Sequence, residues 1–431
     1  MINLKSIKNI HFVGIGGIGM SAVARMMLHE GKKVSGSDRE ETEITEALRR
    51  AGATIFIGHN ESNISSEIDT VIYTIAVSYD NPEIKKANTR ELNVLSYPEF
   101  LGVLSRNKFT IAVSGTHGKT TTTAMIAKIL TEAKRSPTVI VGSLLKESGT
   151  NFIPGEGNIF VIEACEYRKS FLHLNPSILV ITNIDNDHLD YYKDITAIQA
   201  AFKEFAGKMH KGSYIVANLS DQISAAATQG VKSKVIDYDV INGDILKLRV
   251  PGLHNISNAK AALGVAKILN IRLPIALKAL AEFKGTWRRF EYKGKIEGGA
   301  EIYDDYAHHP TEIKATLEAA KSLFPSKKLI VVFQPHLHSR TKLLLDEFAQ
   351  SFAGADELIV APIYAAREDG FAGINSWILA ERIRKYNPQT TPLYNFNEIA
   401  EYIKNKSSDG DVVILMGAGD IYKVADSLVE P

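Results

Sequence analysis

The sequence predicts an α/β protein of three domains, and three observations lead to that prediction. Strand-like apolar runs alternate with helix-like amphipathic segments along the chain, which is typical of parallel sheets covered by helices. Two glycine-rich turns, at 14–19 and 115–118, each follow an apolar run and precede a helix-like segment. The length of 431 residues, at ~150 residues per domain, indicates about three domains. We expect domains at 1–105, 106–284 and 285–431, the first and last being Rossmann-like.

The first glycine-rich turn has the pattern Gly14-x-Gly16-x-x-Gly19 and opens a helix-like segment that is stopped by Gly31. Asp38 follows nineteen residues after the turn, at the end of the second predicted strand. This is the dinucleotide fingerprint, in which N–H groups bind a diphosphate and the acid binds a ribose hydroxyl. Any nucleotide diphosphate satisfies it, so a nicotinamide-dependent oxidoreductase and an enzyme acting on a UDP-linked sugar both stay open.

The second glycine-rich turn lies within FTIAVSGTHGKTTTT, residues 109–123. A strand, a glycine turn and a helix start together form a phosphate cradle, because backbone N–H groups and the helix dipole converge on one point. Lys119 would reach the outer phosphates, and the hydroxyl of Thr120 would bind a magnesium ion. Val113 stands where the usual spacing has glycine. The segment predicts a central ATPase domain of the P-loop type.

Two buried-looking strands after this loop end in acidic residues. One ends at Glu163, and the other leads into a loop that carries Asp185, Asp187, His188 and Asp190. Since ligands bind beyond the carboxyl ends of parallel strands, oxygen and imidazole ligands for magnesium are expected there. For each of the three aspartates alone, a solvated loop is the favoured interpretation. For Glu163 and His188 we favour a functional role.

Further strands and helices are predicted from apolar runs and their spacing. The predicted strands are 10–13, 33–35, 54–57, 70–74, 301–304, 328–333, 357–361 and 411–416. Helices at 255–269 and 274–283 are expected to close the second block.

The composition excludes several classes of protein. Fifty basic and forty-nine acidic residues give a net charge of +1, without a basic block for nucleic acid or an anionic membrane. A single cysteine, Cys165, excludes an intrachain disulfide and fits a reducing compartment. No apolar stretch approaches the ~20 residues that span a bilayer, and the N-terminus lacks a signal-peptide pattern. We therefore expect a cytoplasmic protein with no nucleic-acid partner and no membrane insertion.

Ten segments together resemble the Mur ligases of peptidoglycan synthesis. They are GIGGIGMSAVA (14–24), GHNESN (58–63), SGTHGKTTTT (114–123), EACEYRKSFL (163–172), TNIDNDHLD (182–190), PGLHNISNA (251–259), WRRFE (287–291), DDYAHHPTE (304–312), FQPHLHSRT (333–341) and MGAGDI (416–421). The resemblance implies three domains that bind a UDP-sugar, ATP and an amino acid respectively. It is greatest for members that add L-alanine to UDP-N-acetylmuramate, and a monomer or weak homodimer is expected.

The resemblance also implies the site residues. For the UDP-sugar they are Gly14, Gly16, Gly17, Ile18, Gly19, Asp38 and His59. For ATP they are Gly115, Thr116, His117, Gly118, Lys119, Thr120, Thr121, Asn258, Arg289 and Asp305. For the amino acid they are Tyr306, His336 and Arg340, with Arg340 gripping the carboxylate bidentately. Thr120 and Glu163 are expected to hold one Mg²⁺ ion and His188 a second, and Lys119, Glu163 and His188 are the expected catalytic residues.

The implied mechanism begins when the substrate carboxylate attacks the γ-phosphate of ATP, a step that needs positioning and charge neutralisation. Lys119 and one or two Mg²⁺ ions would neutralise the charge. That step forms an acyl phosphate and releases ADP. The amine of L-alanine then attacks the acyl phosphate, giving an amide and phosphate. Leu337 departs from the family pattern, because many alanine ligases carry arginine there. Other departures are Ile75, Cys165 and Tyr167.

Two alternatives stay open at this point. A recycling ligase that attaches an intact tripeptide to the same UDP-sugar shares the first-domain signature, and differs in the loop FQPHLHSRT. A dinucleotide-dependent oxidoreductase is supported only by the first glycine motif and Asp38.

Overall fold

The structure, a computed structural model, describes residues 4–146, 148–189, 191–366, 368 and 373–429. The chain forms two compact units, each built from several segments of the sequence. The first contains Met1–Asp185, Thr196–Lys247 and Asn258–Phe283, and the second contains Asn186–Ile195, Leu248–Ser257 and Lys284–Pro431.

The first sheet, in the first unit, has five strands in the order β3-β2-β1-β4-β5, all parallel. Its elements are β1 (Asn9–Val13), α1 (Ile18–His29), β2 (Lys33–Asp38), α2 (Glu43–Arg50), β3 (Thr54–Ile57), β4 (Thr70–Tyr73), α3 (Pro82–Thr89), β5 (Asn93–Ser96) and α4 (Tyr97–Ser105). The carboxyl ends of β1 and β2 bring the first glycine motif next to Asp38.

The second sheet, also in the first unit, has seven strands in the order β12-β11-β10-β6-β9-β7-β8, antiparallel only at β7–β8. Its elements are β6 (Phe109–Ser114), α5 (Lys119–Glu132), β7 (Thr138–Ile140), β8 (Phe152–Ile153), β9 (Ile159–Glu163), β10 (Ile178–Ile181), α6 (Ile195–Gly207), β11 (Tyr214–Ala217), α7 (Gln222–Ala227), β12 (Lys234–Asp237), α8 (Leu253–Ile268) and α9 (Leu273–Ala281). The strands at the centre are apolar and buried because helices cover both faces.

The third sheet lies in the second unit and has six strands in the order β13-β14-β18-β15-β16-β17, antiparallel only at β13–β14. Its elements are β13 (Glu291–Lys295), β14 (Glu301–Asp305), α10 (Pro310–Leu323), β15 (Leu329–Phe333), α11 (His338–Leu343), α12 (Leu345–Ala349), β16 (Glu357–Val360), α13 (Ser376–Ile383), β17 (Thr390–Pro392), α14 (Phe396–Lys406), β18 (Val412–Met416) and α15 (Tyr422–Val429). One apolar core lies on each face of this sheet.

The predicted α/β class with parallel sheets is confirmed, and each strand predicted from the sequence is present to within two or three residues at its ends. The predicted domain limits fall between the three sheets, but the exact boundary residues stay a prediction. Among the helices that the structure describes, none combines the length and the hydropathy needed to cross a bilayer.

Candidate functional site

The loop between β6 and α5 has the conformation that its glycines were expected to allow. Gly115 and Gly118 have φ of 132° and 80°, in the left-handed region that favours glycine. A Cβ at Gly115 would also clash with the Thr182 side chain, and one at Gly118 would clash with the Asn258 side chain. The two glycines therefore let the loop pass close to its neighbours and reach the start of α5.

The N–H groups of this loop divide into two sets. Those of Thr116 and His117 donate to the carbonyl and side-chain oxygens of Asn183, at 3.0 and 2.9 Å. His117 is also 3.0 Å from Asp185 through Nε2. Within a helix the first N–H groups lack intrahelical partners, so residues 118–121 at the start of α5 are the donors suited to a phosphate. For Thr116 and His117, backbone donation to a nucleotide would require these bonds to change.

Lys119 is the first residue of α5, and its ammonium is engaged within the chain. Nζ donates to the carbonyl oxygens of Gly115 (2.5 Å) and Thr116 (2.9 Å). It also lies 3.0 Å from both carboxylate oxygens of Glu166. Burial lowers the pKa of Lys119, but the neighbouring carboxylate of Glu166 outweighs it and raises the pKa. Lys119 thus keeps its positive charge beside the loop.

The structure brings Thr120 and Glu163 together, as the metal-site prediction requires of them. Thr120 Oγ1 donates to Glu163 Oε2 at 3.2 Å, and the N–H of Gly142 donates to Glu163 Oε1 at 2.5 Å. A Cβ at Gly142 would collide with that carboxylate. A hydroxyl and a carboxylate beside a phosphate-type loop are the oxygen donors that Mg²⁺ prefers, so these two residues fit the ion.

The other two residues expected near this site have different surroundings. Asn258 packs at the start of α5, where its Oδ1 accepts from Thr122 Oγ1 at 3.2 Å. His188 belongs to the second unit and has a left-handed φ of 55°. Its N–H donates to Asp187 Oδ1 at 2.6 Å. The adenine contact of Asn258 and the metal-ligand role of His188 stay predictions.

The first glycine motif is adjacent to Asp38, as the fingerprint implies. The N–H of Gly16 donates to Asp38 Oδ2 at 2.7 Å, and Gly14 has a left-handed φ of 83°. Helix α1 begins at Ile18, and its N-cap Gly17 makes no side-chain bond, so no capping side chain occupies the N–H groups at the helix start. Gly19 faces Tyr97, whose hydroxyl end leaves no room for a Cβ.

His59 lies on a buried network centred on Glu83. Its Nδ1 is 2.9 Å from Ser37 Oγ and 3.3 Å from Glu83 Oε2. Asn63 and Ser37 each donate to the Glu83 carboxylate at 2.5 Å, and His11 Nε2 is 3.7 Å away. Burial raises the pKa of Glu83, but these polar neighbours outweigh it and lower the pKa to about 2.

In the second unit, Arg340 forms an ion pair that the sequence did not predict. Its guanidinium donates to Asp187 Oδ1 at 2.8 Å, and the two side chains are each 9% exposed. Burial raises the pKa of Asp187, but Arg340 outweighs it and holds that pKa well below the usual range. The solvated-loop interpretation is therefore wrong for Asp187. Asp185 pairs with His117, and Asp190 lies outside the described residues.

The three predicted amino-acid residues are connected by one polar contact, between Arg340 and His336, and by ring contacts from His336 to Tyr306 through His308. His336 Nδ1 is 3.2 Å from an Arg340 nitrogen, and the His336 ring stacks on Tyr364 at 5.7 Å. His308 links His336 to Tyr306, with ring centroids 5.9 and 5.3 Å apart. Leu337, between β15 and α11, has a left-handed φ of 69°, an unusual conformation for leucine that often marks functional sites.

Arg289 and Asp305, expected at the ATP site, differ in how they are held. Arg289 lies over the Tyr306 ring (5.2 Å) and 3.5 Å from Glu312. Asp305 is 5% exposed, and its oxygens accept the N–H groups of Phe290 (2.8 Å) and Ala307 (2.7 Å). Those two bonds are a structural role that the sequence prediction missed, and an ATP contact by Asp305 stays a prediction.

Sequence reasoning missed the partners that position the candidate residues: Asn183, Gly142, Glu166, Asp187 as a buried ion, and Glu83. Glu166 and Asp187 lie inside two of the segments that carry the family resemblance, 163–172 and 182–190, so the charge itself is visible in the sequence. Which cation each one faces was not, because the partners are 47 and 153 residues away.

Comparison with known proteins places these features in a family context. Three family models match: "Mur ligase family, catalytic domain" at 9–109, "Mur ligase middle domain" at 113–246 and "Mur ligase, glutamate ligase domain" at 288–419. A UDP-N-acetylmuramate–L-alanine ligase of Clostridium acetobutylicum is 43% identical, with 97% of each chain covered. The crystal structure of a UDP-N-acetylmuramate–alanine ligase of Thermotoga maritima matches with a TM-score of 0.82 and 32% identity, covering 98% of each chain. A murein peptide ligase of Psychrobacter arcticus matches with a TM-score of 0.72 and 26% identity, covering 98% of each chain.

Proposed function

This chain belongs to the Mur ligase family, and we propose that it joins L-alanine to the lactyl carboxylate of UDP-N-acetylmuramate with ATP as the energy source. The observation that carries the proposal is the joint occurrence of two phosphate-type loops, at Gly14–Gly19 and at Gly115–Lys119, in a chain that is similar to alanine ligases over 97–98% of its length. One loop suits a UDP-linked diphosphate and the other suits ATP.

The chemistry proposed for the central loop follows from the residues around it. The start of α5 and Lys119 would bind the ATP phosphates. His188 would hold a second Mg²⁺ ion, and Thr120 and Glu163 would hold the first. The ions would neutralise charge as the phosphoryl group moves to the substrate carboxylate. Positioning is the main contribution of the protein, because Gly142 fixes one oxygen of Glu163 and Asn183 fixes the loop.

For the amino acid, we propose that Arg340 binds the carboxylate, with His336 and Tyr306 nearby. Arg340 has five N–H donors, and its bonds to Asp187 and His336 use only part of that capacity. The guanidinium can therefore stay anchored while it receives a substrate carboxylate. Arg289 and Asp305 are proposed to contribute to ATP binding together with Asn258.

The experiment is a phosphate-release assay with UDP-N-acetylmuramate, ATP and a panel of second substrates. We expect turnover with L-alanine, and weak turnover with glycine and L-serine, because one methylene is typically worth only ~1–3 kcal/mol of discrimination. The panel includes the tripeptide L-alanyl-γ-D-glutamyl-meso-diaminopimelate. Preference for the tripeptide would contradict the proposal and identify a recycling ligase.

A further inference from the structure

The ammonium of Lys119 has acceptors for all three of its N–H groups inside the protein. Gly115 and Thr116 supply carbonyl oxygens, and Glu166 supplies a carboxylate whose oxygens are both 3.0 Å from Nζ. The lysine side chain is 17% exposed and that of Glu166 only 2%. A lysine has three donors and no acceptor, so a bond from Nζ to a phosphate oxygen must replace one of these bonds.

Of the three bonds, the one to Glu166 bears most on nucleotide binding. It is the only one of the three to a charged acceptor, and charge-assisted bonds are about twice as strong as neutral ones. The carboxylate also places a negative charge close to the position where anionic phosphates would meet Lys119. Like charges in a buried site repel strongly because water screens them little.

The backbone that carries Glu166 is fixed by its own contacts. The N–H of Lys169 donates to the Glu166 carbonyl at 2.8 Å, and the N–H of Phe171 donates to the Cys165 carbonyl at 2.9 Å. Phe171 is fully buried, with its ring 5.2 Å from Phe202. By contrast, Lys119 has a flexible four-carbon stem. If the pair separates, it does so by movement of the side chains and not by displacement of the backbone that carries Glu166.

We propose that Glu166 is a positioning residue that competes with the nucleotide phosphates for Lys119 and thereby sets the affinity for ATP. Glu166 holds the ammonium beside the phosphate loop. ATP binds when its phosphates replace Glu166 as the partner of Lys119. The inference rests on the proposed function, because it takes ATP as the ligand of this loop.

The test is calorimetric titration of ATP, without divalent metal, into the full-length protein and its Glu166→Gln variant. Glutamine keeps the size and an oxygen acceptor but removes the charge, so we expect the dissociation constant for ATP to fall at least about threefold. In turnover, the KM for ATP should fall without a rise in kcat. Glu204→Gln is the matched control, since Glu204 in the same unit forms an exposed ion pair with Lys169 at 2.7 Å, and its ATP affinity should not change.

A double-mutant comparison separates the competition from a general charge effect. In a Lys119→Met background, Glu166→Gln should change ATP affinity much less than it does with Lys119 present. Equal tightening in both backgrounds, or unchanged or weaker ATP binding by Glu166→Gln, would overturn the inference while leaving the proposed function standing. Failure of the unmodified protein to bind ATP would instead overturn both.

Glu166→Asp serves as the second variant should the glutamine protein not fold. It keeps the charge but withdraws it from Nζ by one methylene, so ATP affinity should rise less than in the glutamine variant. Weaker ATP binding by the aspartate variant would show that Glu166 assists the nucleotide, and would also overturn the inference.

Discussion

Replacement of Arg340 should have two separable effects, because this residue has both a proposed ligand and an internal partner. Arg340→Met removes the proposed anchor for the alanine carboxylate, so the KM for L-alanine should rise sharply while that for ATP changes little. The same change leaves Asp187, with its side chain 9% exposed, without the guanidinium that lies 2.8 Å away.

The loss of stability can be estimated from the burial of this pair. Removing one member of a buried ion pair typically costs ~3–5 kcal/mol, because the remaining charge is left without compensation. For domains of roughly 150–250 residues, each kcal/mol corresponds to a shift of ~2–4 °C in Tm. We therefore expect the transition of the second unit to fall by about 6–20 °C in Arg340→Met.

Two further variants assign these effects. Arg382→Met is the matched control: it breaks an ion pair to Asp346 in the same unit, with the two side chains 41% and 62% exposed, and should cost at most ~1 kcal/mol. Arg340→Met/Asp187→Asn removes both buried charges and should recover most of the lost Tm, but it should not recover the KM for alanine.

Thermal unfolding monitored by circular dichroism, together with alanine titrations in the phosphate-release assay, provides the measurements. Equal Tm values for Arg340→Met and Arg382→Met would refute the energetic reasoning. Normal alanine saturation in Arg340→Met would refute the binding role and show that another cation holds the carboxylate. Recovery of the KM in the double variant would show that unpaired Asp187, rather than the missing arginine, had impaired binding.

Three other outcomes are expected. Lys119→Ala should lower turnover by several orders of magnitude and leave UDP-N-acetylmuramate binding intact by calorimetry; near-normal phosphate release would contradict the assignment of the ATP loop. The protein should bind UDP-N-acetylmuramate but neither NADH nor NADPH. Micromolar NADH binding without a response to the UDP-sugar would favour the oxidoreductase alternative. Glu83 is fully buried, and its pKa falls from an ordinary 4.5 to about 2 on folding. Its ionised form therefore contributes about 3 kcal/mol to the free energy of unfolding above pH 4.5, and this contribution is lost as the pH falls towards 2. Acid titration of stability checks this, since Glu83→Gln should flatten that pH dependence, and an identical profile would contradict the role given to the network.

The strands that the sequence predicts best are those that lie at the centre of a sheet. Central strands such as β10 and β15 are buried on both faces, so they appear as continuous runs of isoleucine, valine, leucine and phenylalanine. Strand β13, with the sequence EYKGK, lies at an edge and is antiparallel. Only part of such a strand needs to be apolar, which leaves too weak a pattern to predict it. The two-residue β8 is too short to give any periodicity.

In the candidate site, features that depend on residues adjacent in the sequence could be predicted, whereas contacts between residues far apart in the sequence could not. The glycines of both loops could be predicted because strand, turn and helix follow one another in the sequence. Adjacent residues of one type could not be told apart: Arg288 is 2% exposed and donates to Asp304 and to two carbonyls after β18, whereas Arg289 faces Tyr306 and Glu312. Side chains alternate between the faces of a strand, so neighbouring Asp304 and Asp305 also meet different partners.

The two cations assigned to substrates share a physical constraint. Lys119 and Arg340 are largely buried, and a buried charge destabilises the fold unless an opposite charge or hydrogen bonds compensate it. Glu166 and Asp187 provide that compensation, but they also lower the net positive charge offered to an anionic ligand. Stability and affinity are therefore opposed at both positions. Because Lys119 lies in the first unit and Arg340 in the second, the two effects can be measured separately. Variants at Glu166 should change ATP binding and leave the second unit's Tm unchanged, whereas variants at Asp187 should change the second unit's Tm and leave ATP binding unchanged.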